Sequence, residues 1–234
     1  MKMRYGALLM MAGLIGNAHA AKAAQPVVLE LFTSQGCSSC PPADALMTAM
    51  AQDGSVLPLL FHVSYWNNLG WKDSFATADT TNRQYAYSRS LGSGGAVFTP
   101  QLVVNGTESM VGSEEGKVRK AVTAESQKPF PVQAALTPDS SGNLKLLLSG
   151  AYGTADIWEV RFVSHATTRI GAGENGGRTL DTVNNVTSIK RLGGLSNKDN
   201  LYSLTAPQAP DDGLAVIVQE PGPGRILGWA VYIK

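Results

Sequence analysis

An α/β domain with a central mixed sheet, followed by an antiparallel β-sandwich-like domain, is the architecture that this 234-residue sequence predicts. Three observations carry the prediction. Strand-like and helix-like runs alternate as far as Lys128, and strand-like runs dominate after Pro129-Phe130-Pro131; such a shift of pattern marks a domain boundary. The apolar run Val27–Phe32 is continuous rather than alternating, as in a strand covered on both faces. The two cysteines of the chain, Cys37 and Cys40, fall between that run and a helix-like run opened by Pro41-Pro42. Prolines suit a first helical turn, where a missing N–H costs nothing.

The first half, residues 25–128, reads in order. Val27–Phe32 is a buried strand and Ala43–Met50 a helix. Leu57–Val63 is a second buried strand, and Asp79–Leu91 a helix stopped by Gly92. Thr99–Gly106 is a strand opened by proline and closed by an Asn-Gly turn, with Met110–Gly112 returning. Ser113-Glu114-Glu115 caps a last helix that carries Val118, Ala121 and Val122 on one side. A Cys-x-x-Cys at the first strand–helix seam of such a series is the dithiol position of thioredoxin-like domains. The second half, residues 129–234, offers Val132–Thr137, Leu144–Ser149, Ile157–Ser164, Val186–Arg191, Leu214–Gln219 and Ile226–Ile233, punctuated by Gly, Asn, Asp and Pro. That spacing predicts a small antiparallel sandwich.

Residues 1–20 read as a secretory leader. Lys2 and Arg4 precede the short apolar core Leu8–Ile15, and Ala18-His19-Ala20 is a small-x-small cleavage site. Export places the mature chain in the periplasm or outside the cell, without a membrane anchor. Losing Lys2 and Arg4 leaves 17 basic against 18 acidic residues, a net charge of −1. So balanced a surface argues against nucleic acid as a partner.

An oxidising compartment favours a disulfide, yet a loop as short as Cys37–Cys40 removes little chain entropy. The pair is therefore read as reactive. A helix start presents unpaired N–H groups and a positive dipole end, and such sites lower a thiol pKa to about 3.5–7.5. Cys37 is the expected nucleophile and the exposed member. Cys40, in the first turn, is the resolving thiol and the buried member. No cofactor is required; the expected partners are protein or small-molecule thiols and disulfides.

Other candidate residues follow. In thioredoxin-like folds a cis proline faces the dithiol, which assigns that place to Thr99-Pro100. Glu30 is a carboxylate inside an apolar strand; it either moves protons for Cys40, as a buried acid does in thioredoxin, or faces a polar cavity or the domain interface. His62 and His165 are the histidines that remain after leader removal. Cys37, Cys40 and His62 form the alternative set for a copper or zinc carrier. A non-catalytic thioredoxin-like binding module is the third reading. The aromatic loop Tyr65–Asp73, with Trp66 and Trp71, either walls a peptide groove or packs on the second domain. Gly171–Gly176 matches the dinucleotide-binding glycine pattern, but no helix signal follows it, so that reading is rejected. The loop Gly171–Arg178, with Glu174 and Arg178, is instead expected to meet the aromatic loop and cover part of the dithiol face.

Leu31-Phe32-Thr33-Ser34-Gln35-Gly36-Cys37-Ser38-Ser39-Cys40-Pro41-Pro42-Ala43-Asp44 resembles the signature of the secreted bacterial family called domain of unknown function 1223. His62-Val63-x-Tyr65-Trp66, Leu69–Asp73, Arg83-Gln84, Thr99-Pro100-Gln101, Val104-Asn105-Gly106 and Gly173-Glu174-Asn175-x-Gly177-Arg178 extend the match. The resemblance implies a thioredoxin-like domain with an appended β domain, and no substrate. Ser64 and Asn67 stand where members usually carry acidic residues. Gln35-Gly36 replaces the aromatic residue that precedes the first cysteine in thioredoxin.

Overall fold

The continuous apolar run becomes β1 (Val27–Thr33), buried at every position. Its residues alternate between two cores. Val27, Leu29 and Leu31 pack with Ala43, Leu46, Met47 and Met50 of α1 (Pro41–Gln52) and Val118, Ala121 and Val122 of α3 (Glu115–Ser126). Val28 and Phe32 enter a second core on the opposite face, with Tyr87 of α2 (Ala78–Ser90). α2 begins in a reciprocal cap, in which Thr77 accepts from the Thr80 N–H and Thr80 accepts from the Thr77 N–H, both at 3.1 Å. The computed structural model describes residues 26–234 except 93, 151–152, 196–200 and 211; the expected leader, residues 1–20, lies outside the described residues. Among the described residues no helix is long and apolar enough to cross a membrane.

The remaining strands are β2 (Val56–His62), β3 (Gln101–Val104), β4 (Glu108–Val111), β5 (Val132–Pro138), β6 (Asn143–Gly150), β7 (Ala155–Arg169), β8 (Thr179–Leu195), β9 (Leu201–Thr205), β10 (Asp212–Gln219) and β11 (Ile226–Ile233). Eight form one mixed sheet in the order β11-β10-β7-β8-β2-β1-β3-β4. β1 and β2 run parallel, from Val27 opposite Val56 to Thr33 opposite His62, and β1–β3 and β3–β4 are antiparallel. The β3–β4 turn holds Asn105 at φ 49° and Gly106 at φ 73°. That is the left-handed region an Asn-Gly pair tolerates best.

The expected C-terminal sandwich requires a correction. Strands β5, β6 and β9 do form a small antiparallel sheet, and Val132, Leu144, Leu146, Leu148 and Leu204 pack it against Leu214, Val216 and Val218. The layer beneath it, however, is not a sheet of its own. β8 joins β2 in parallel at Asn185–Leu60, so β7, β8, β10 and β11 extend the first-half sheet. The reason lies in β10: Ala215 and Ile217 point away from the small sheet into the core that holds Val28, Phe32 and Tyr87. A separate sandwich would leave the β2 edge unpaired and that apolar face bare. β7 and β8 are also longer than expected, at 15 and 17 residues. Their far ends reach past the sheet toward α1 and carry the loop 170–178 with them. β9 is a strand that the sequence reading did not anticipate.

Candidate functional site

Cys37 and Cys40 lie in the loop between β1 and α1, joined as a disulfide with Cα atoms 5.4 Å apart. The loop is held from within: the Cys37 N–H donates to Ser34 O at 3.1 Å and the Cys40 N–H to Cys37 O at 3.2 Å. Cys40 is the residue that caps α1, with Pro41 and Pro42 in the first turn. Both cysteines are fully buried, which corrects the expectation of an exposed Cys37. Three segments cover it.

The first cover is the cis Thr99-Pro100 peptide at the head of β3. The Thr99 hydroxyl donates to Cys37 Sγ at 3.3 Å and accepts from Trp66 Nε1 at 2.9 Å. Ser39 Oγ lies 3.4 Å from both Cys37 Sγ and the Thr99 carbonyl oxygen. The second cover is the 171–178 loop. Asn175, wholly buried, donates through Nδ2 to Gln35 O at 3.0 Å and Cys37 O at 2.9 Å. Arg178 Nη1 donates to Asn175 Oδ1 at 2.9 Å, which fixes the amide the right way round. Glu174 Oε2 accepts from the Ser38 N–H at 3.1 Å; bonds from the Ser38 side chain and backbone hold its carboxyl below the ordinary value. The third cover is the aromatic loop. Trp71 Nε1 donates to Gln35 Oε1 at 2.9 Å, which ties the aromatic loop to the cysteine loop. The two loops meet at Gly173, at φ 76°, where an added Cβ would stand 3.2 Å from Leu69 O and 3.3 Å from Trp71 Cβ.

A buried polar cluster lies beneath this surface. His62, at the end of β2, contacts Asp73 Oδ2 through Nδ1 at 2.8 Å and Asn185 Oδ1 through Nε2 at 2.9 Å. Asp73 Oδ2 also accepts from the Gln35 N–H at 2.8 Å, which ties the cluster to the cysteine loop. Burial pulls the His62 pKa down, but the charge and hydrogen bond of Asp73, the charge of Asp44 and the bond to Asn185 leave it raised. Burial pushes Asp73 up, and His62 with the N–H groups of Gln35 and Phe75 outweighs it and leaves it lowered. Asp44, one helical turn after Cys40, accepts from Thr33 Oγ1 at 2.8 Å. Burial pushes it up to about 6 against the pull of His62. Asp44 and Arg178 line a cavity of about 210 Å³ between α1 and β8.

Glu30 is not part of this site. It faces the α2 side of the sheet, paired with Arg83 Nε at 2.5 Å and hydrogen-bonded by the Tyr87 hydroxyl. Arg83 stacks over the rings of Phe61, Tyr87 and Trp158, 5.1–5.6 Å from their centroids. The alternative metal set Cys37, Cys40 and His62 is not assembled either: both ring nitrogens of His62 are engaged, and no group of three or more His, Cys, Asp or Glu suited to a metal ion occurs among the described residues. His165 pairs with Asp181 at 2.7 Å on the exposed β7–β8 hairpin. Glycines 171, 173 and 176 sit in a hairpin loop with a strand, not a helix, after it. Asp44, Asp73 and Asn175 are site residues that the motif reading did not single out. The signal available for them was a polar residue inside each of the family motifs.

The chain belongs to the family described as protein of unknown function (DUF1223), which matches residues 28–219. A protein of Agrobacterium tumefaciens with a known X-ray crystal structure is similar at 29% identity and a TM-score of 0.76, over 91% of this chain and 96% of that one. HBP35 of Porphyromonas gingivalis shares the fold at 15% identity and a TM-score of 0.56, over 89% of this chain and 75% of that one. No curated protein matches.

Proposed function

We propose that this chain is an exported, thioredoxin-like thiol–disulfide oxidoreductase whose reactive pair is Cys37–Cys40. The observation that carries the reading is the Cys37–Cys40 disulfide seated where α1 begins, with the Thr99 hydroxyl donating to the Cys37 sulfur. The element order of residues 27–126 and the parallel β1–β2 pair beside antiparallel β3 and β4 support a thioredoxin-like assignment. In the reaction a thiolate of a dithiol partner attacks Cys37 Sγ, the Cys37–Cys40 bond breaks, and Cys40 leaves and takes up a proton. The partner's second thiolate then displaces Cys37. The partner departs as a disulfide, and two electrons have passed to the chain.

Insulin reduction in the presence of dithiothreitol tests the reading. Turnover above the uncatalysed rate is expected from the mature chain and none from Cys37→Ser. Cys40→Ser is expected to accumulate mixed disulfides that Cys37→Ser does not. Complete burial of both sulfurs favours a second reading, a covered staple in a binding module; a disulfide inert to thiol buffers in the folded protein would select it.

A further inference from the structure

We infer that Trp66 is a positioning residue for Cys37: it aims the Thr99 hydroxyl proton at the Cys37 sulfur and so sets how readily that sulfur carries negative charge. The geometry makes the direction unambiguous. An indole N–H only donates, and Trp66 Nε1 lies 2.9 Å from Thr99 Oγ1. The hydroxyl therefore accepts on that side and keeps its one proton for another neighbour. Its other polar neighbours are Cys37 Sγ at 3.3 Å and the Tyr65 hydroxyl, which carries a proton of its own to donate. A disulfide sulfur has no proton to give, so Thr99 donates there. Ser39 differs. Its hydroxyl lies 3.4 Å from Cys37 Sγ and 3.4 Å from Thr99 O, and its proton is divided between two acceptors. Thr99 is thus the committed donor, and Trp66 holds it in place.

The consequence follows from charge. When a dithiol partner reduces the disulfide, the partner becomes a disulfide and the Cys37 sulfur becomes a thiol or thiolate. A hydrogen bond to an ionised group is stronger than one to a neutral group, so the fixed hydroxyl favours the thiolate. That assigns Trp66 a part in redox tuning rather than a groove wall alone. The inference rests on the reading of Cys37–Cys40 as redox-active.

The test uses the full mature chain, chemically reduced and freed of reductant, with thiolate absorbance at 240 nm followed against pH. Thr99→Val is expected to raise the Cys37 pKa by about one unit, a tenfold loss of acidity. The reduction potential should fall by about 30 mV with it. Thr99→Ser should restore the parental values, and Ser39→Ala should shift them less. Trp66→Phe should move the pKa in the same direction by a smaller step, because the Thr99 hydroxyl is still present but free to rotate. In the Thr99→Val background Trp66→Phe should add nothing. A Trp66→Phe shift of equal size in both backgrounds, or a parental pKa in Thr99→Val, would overturn the proposal. These titrations do not require turnover. An inactive chain with the expected pKa pattern sinks the oxidoreductase reading alone, and an active chain without the pattern sinks the relay alone.

Discussion

Two buried carboxylates, on opposite faces of one sheet, behave in opposite ways. Glu30 is fully enclosed and neutralised: Arg83 holds one oxygen, Tyr87 the other, and Gln219 closes the set through Arg83 Nη2 at 3.1 Å and the Tyr87 hydroxyl at 2.7 Å. Asp44 is equally enclosed but has no cation in hydrogen-bond contact; a threonine hydroxyl binds it and His62 acts on it from a distance. The same desolvation therefore has two outcomes. Where a guanidinium sits against the acid, the pair is a fixed strut between β1 and α2. Where it does not, the acid keeps its proton up to about pH 6 beside the dithiol helix. A buried acid is a functional signal chiefly where no cation is held against it.

The largest effect should come from breaking the strut. Glu30→Gln keeps the shape but leaves the Arg83 charge buried without its counter-ion, at a cost of about 3–5 kcal/mol. Urea unfolding at neutral pH measures it. Dithiol exchange per folded molecule should be unchanged. A loss below about 1 kcal/mol, beneath the range expected for a broken buried pair, would show that the pair contributes little. Lost exchange in folded protein would return Glu30 to the proton role.

This face of the molecule also shows what could be read from sequence alone. The β1–α1–β2–α2–β3–β4–α3 order was legible because each element carries its own local signal: continuous apolar runs, Pro41-Pro42, Asn105-Gly106. Glu30 stood out as an acid among apolar neighbours, but its partner Arg83 lies 53 residues on and on another element. The joining of β8 to β2 was invisible for the same reason. A single register pair, Leu60–Asn185, links strands more than a hundred residues apart, and β10 reads as buried without saying by what. β9 escaped because an edge strand that buries little beyond Leu204 has no strong pattern. At the site, Cys37, Cys40, Thr99 and Pro100 were found through motif chemistry. Asn175 was not, because a buried amide in a glycine-rich loop looks like any loop asparagine.

The second prediction sharpens the contrast from the Asp44 side. Folded Asp44 keeps its proton up to about pH 6, whereas the ordinary carboxyl value is 3.8. Between those values the folded chain holds a proton that the unfolded chain has released, so stability falls as pH rises, by about 3 kcal/mol in all. Asp44→Asn cannot titrate and still accepts from Thr33. The stability difference between variant and parent should shift by about 2 kcal/mol, in favour of the variant, from pH 4 to pH 6. The His62–Asp73 pair works in another window. The raised His62 value gives stability that is complete below 6.5 and lost as pH climbs through it, and the lowered Asp73 value gives stability present above 3.8 and lost on acidification. Asp44→Asn also removes a charge that helps raise His62, so the difference is read below pH 6.5, where His62 stays protonated in both proteins. A constant difference across the range would mean that the carboxyl is ionised throughout, and the contrast with Glu30 would collapse.

The smallest effect concerns the cover over the disulfide. Asn175 ties the 171–178 loop to Gln35 O and Cys37 O, and Arg178 acts only by orienting that amide. With both sulfurs buried, a thiol reaches Cys37 only when some cover lifts. Asn175→Ala removes two hydrogen bonds worth about 1 kcal/mol each. If this loop is the part that lifts, the open form becomes roughly tenfold or more easier to reach, at 1.4 kcal/mol per factor of ten. Reduction by dithiothreitol, followed by quenching and thiol counting, should accelerate by that factor. Arg178→Ala should accelerate it less, since the amide remains. Trp66 and Thr99 cover the other side of the same sulfur and touch neither residue through the bonds described. Unchanged reduction in Asn175→Ala would therefore move the entry route to the Thr99-Pro100 side and leave the glycine-rich loop as a fixed wall.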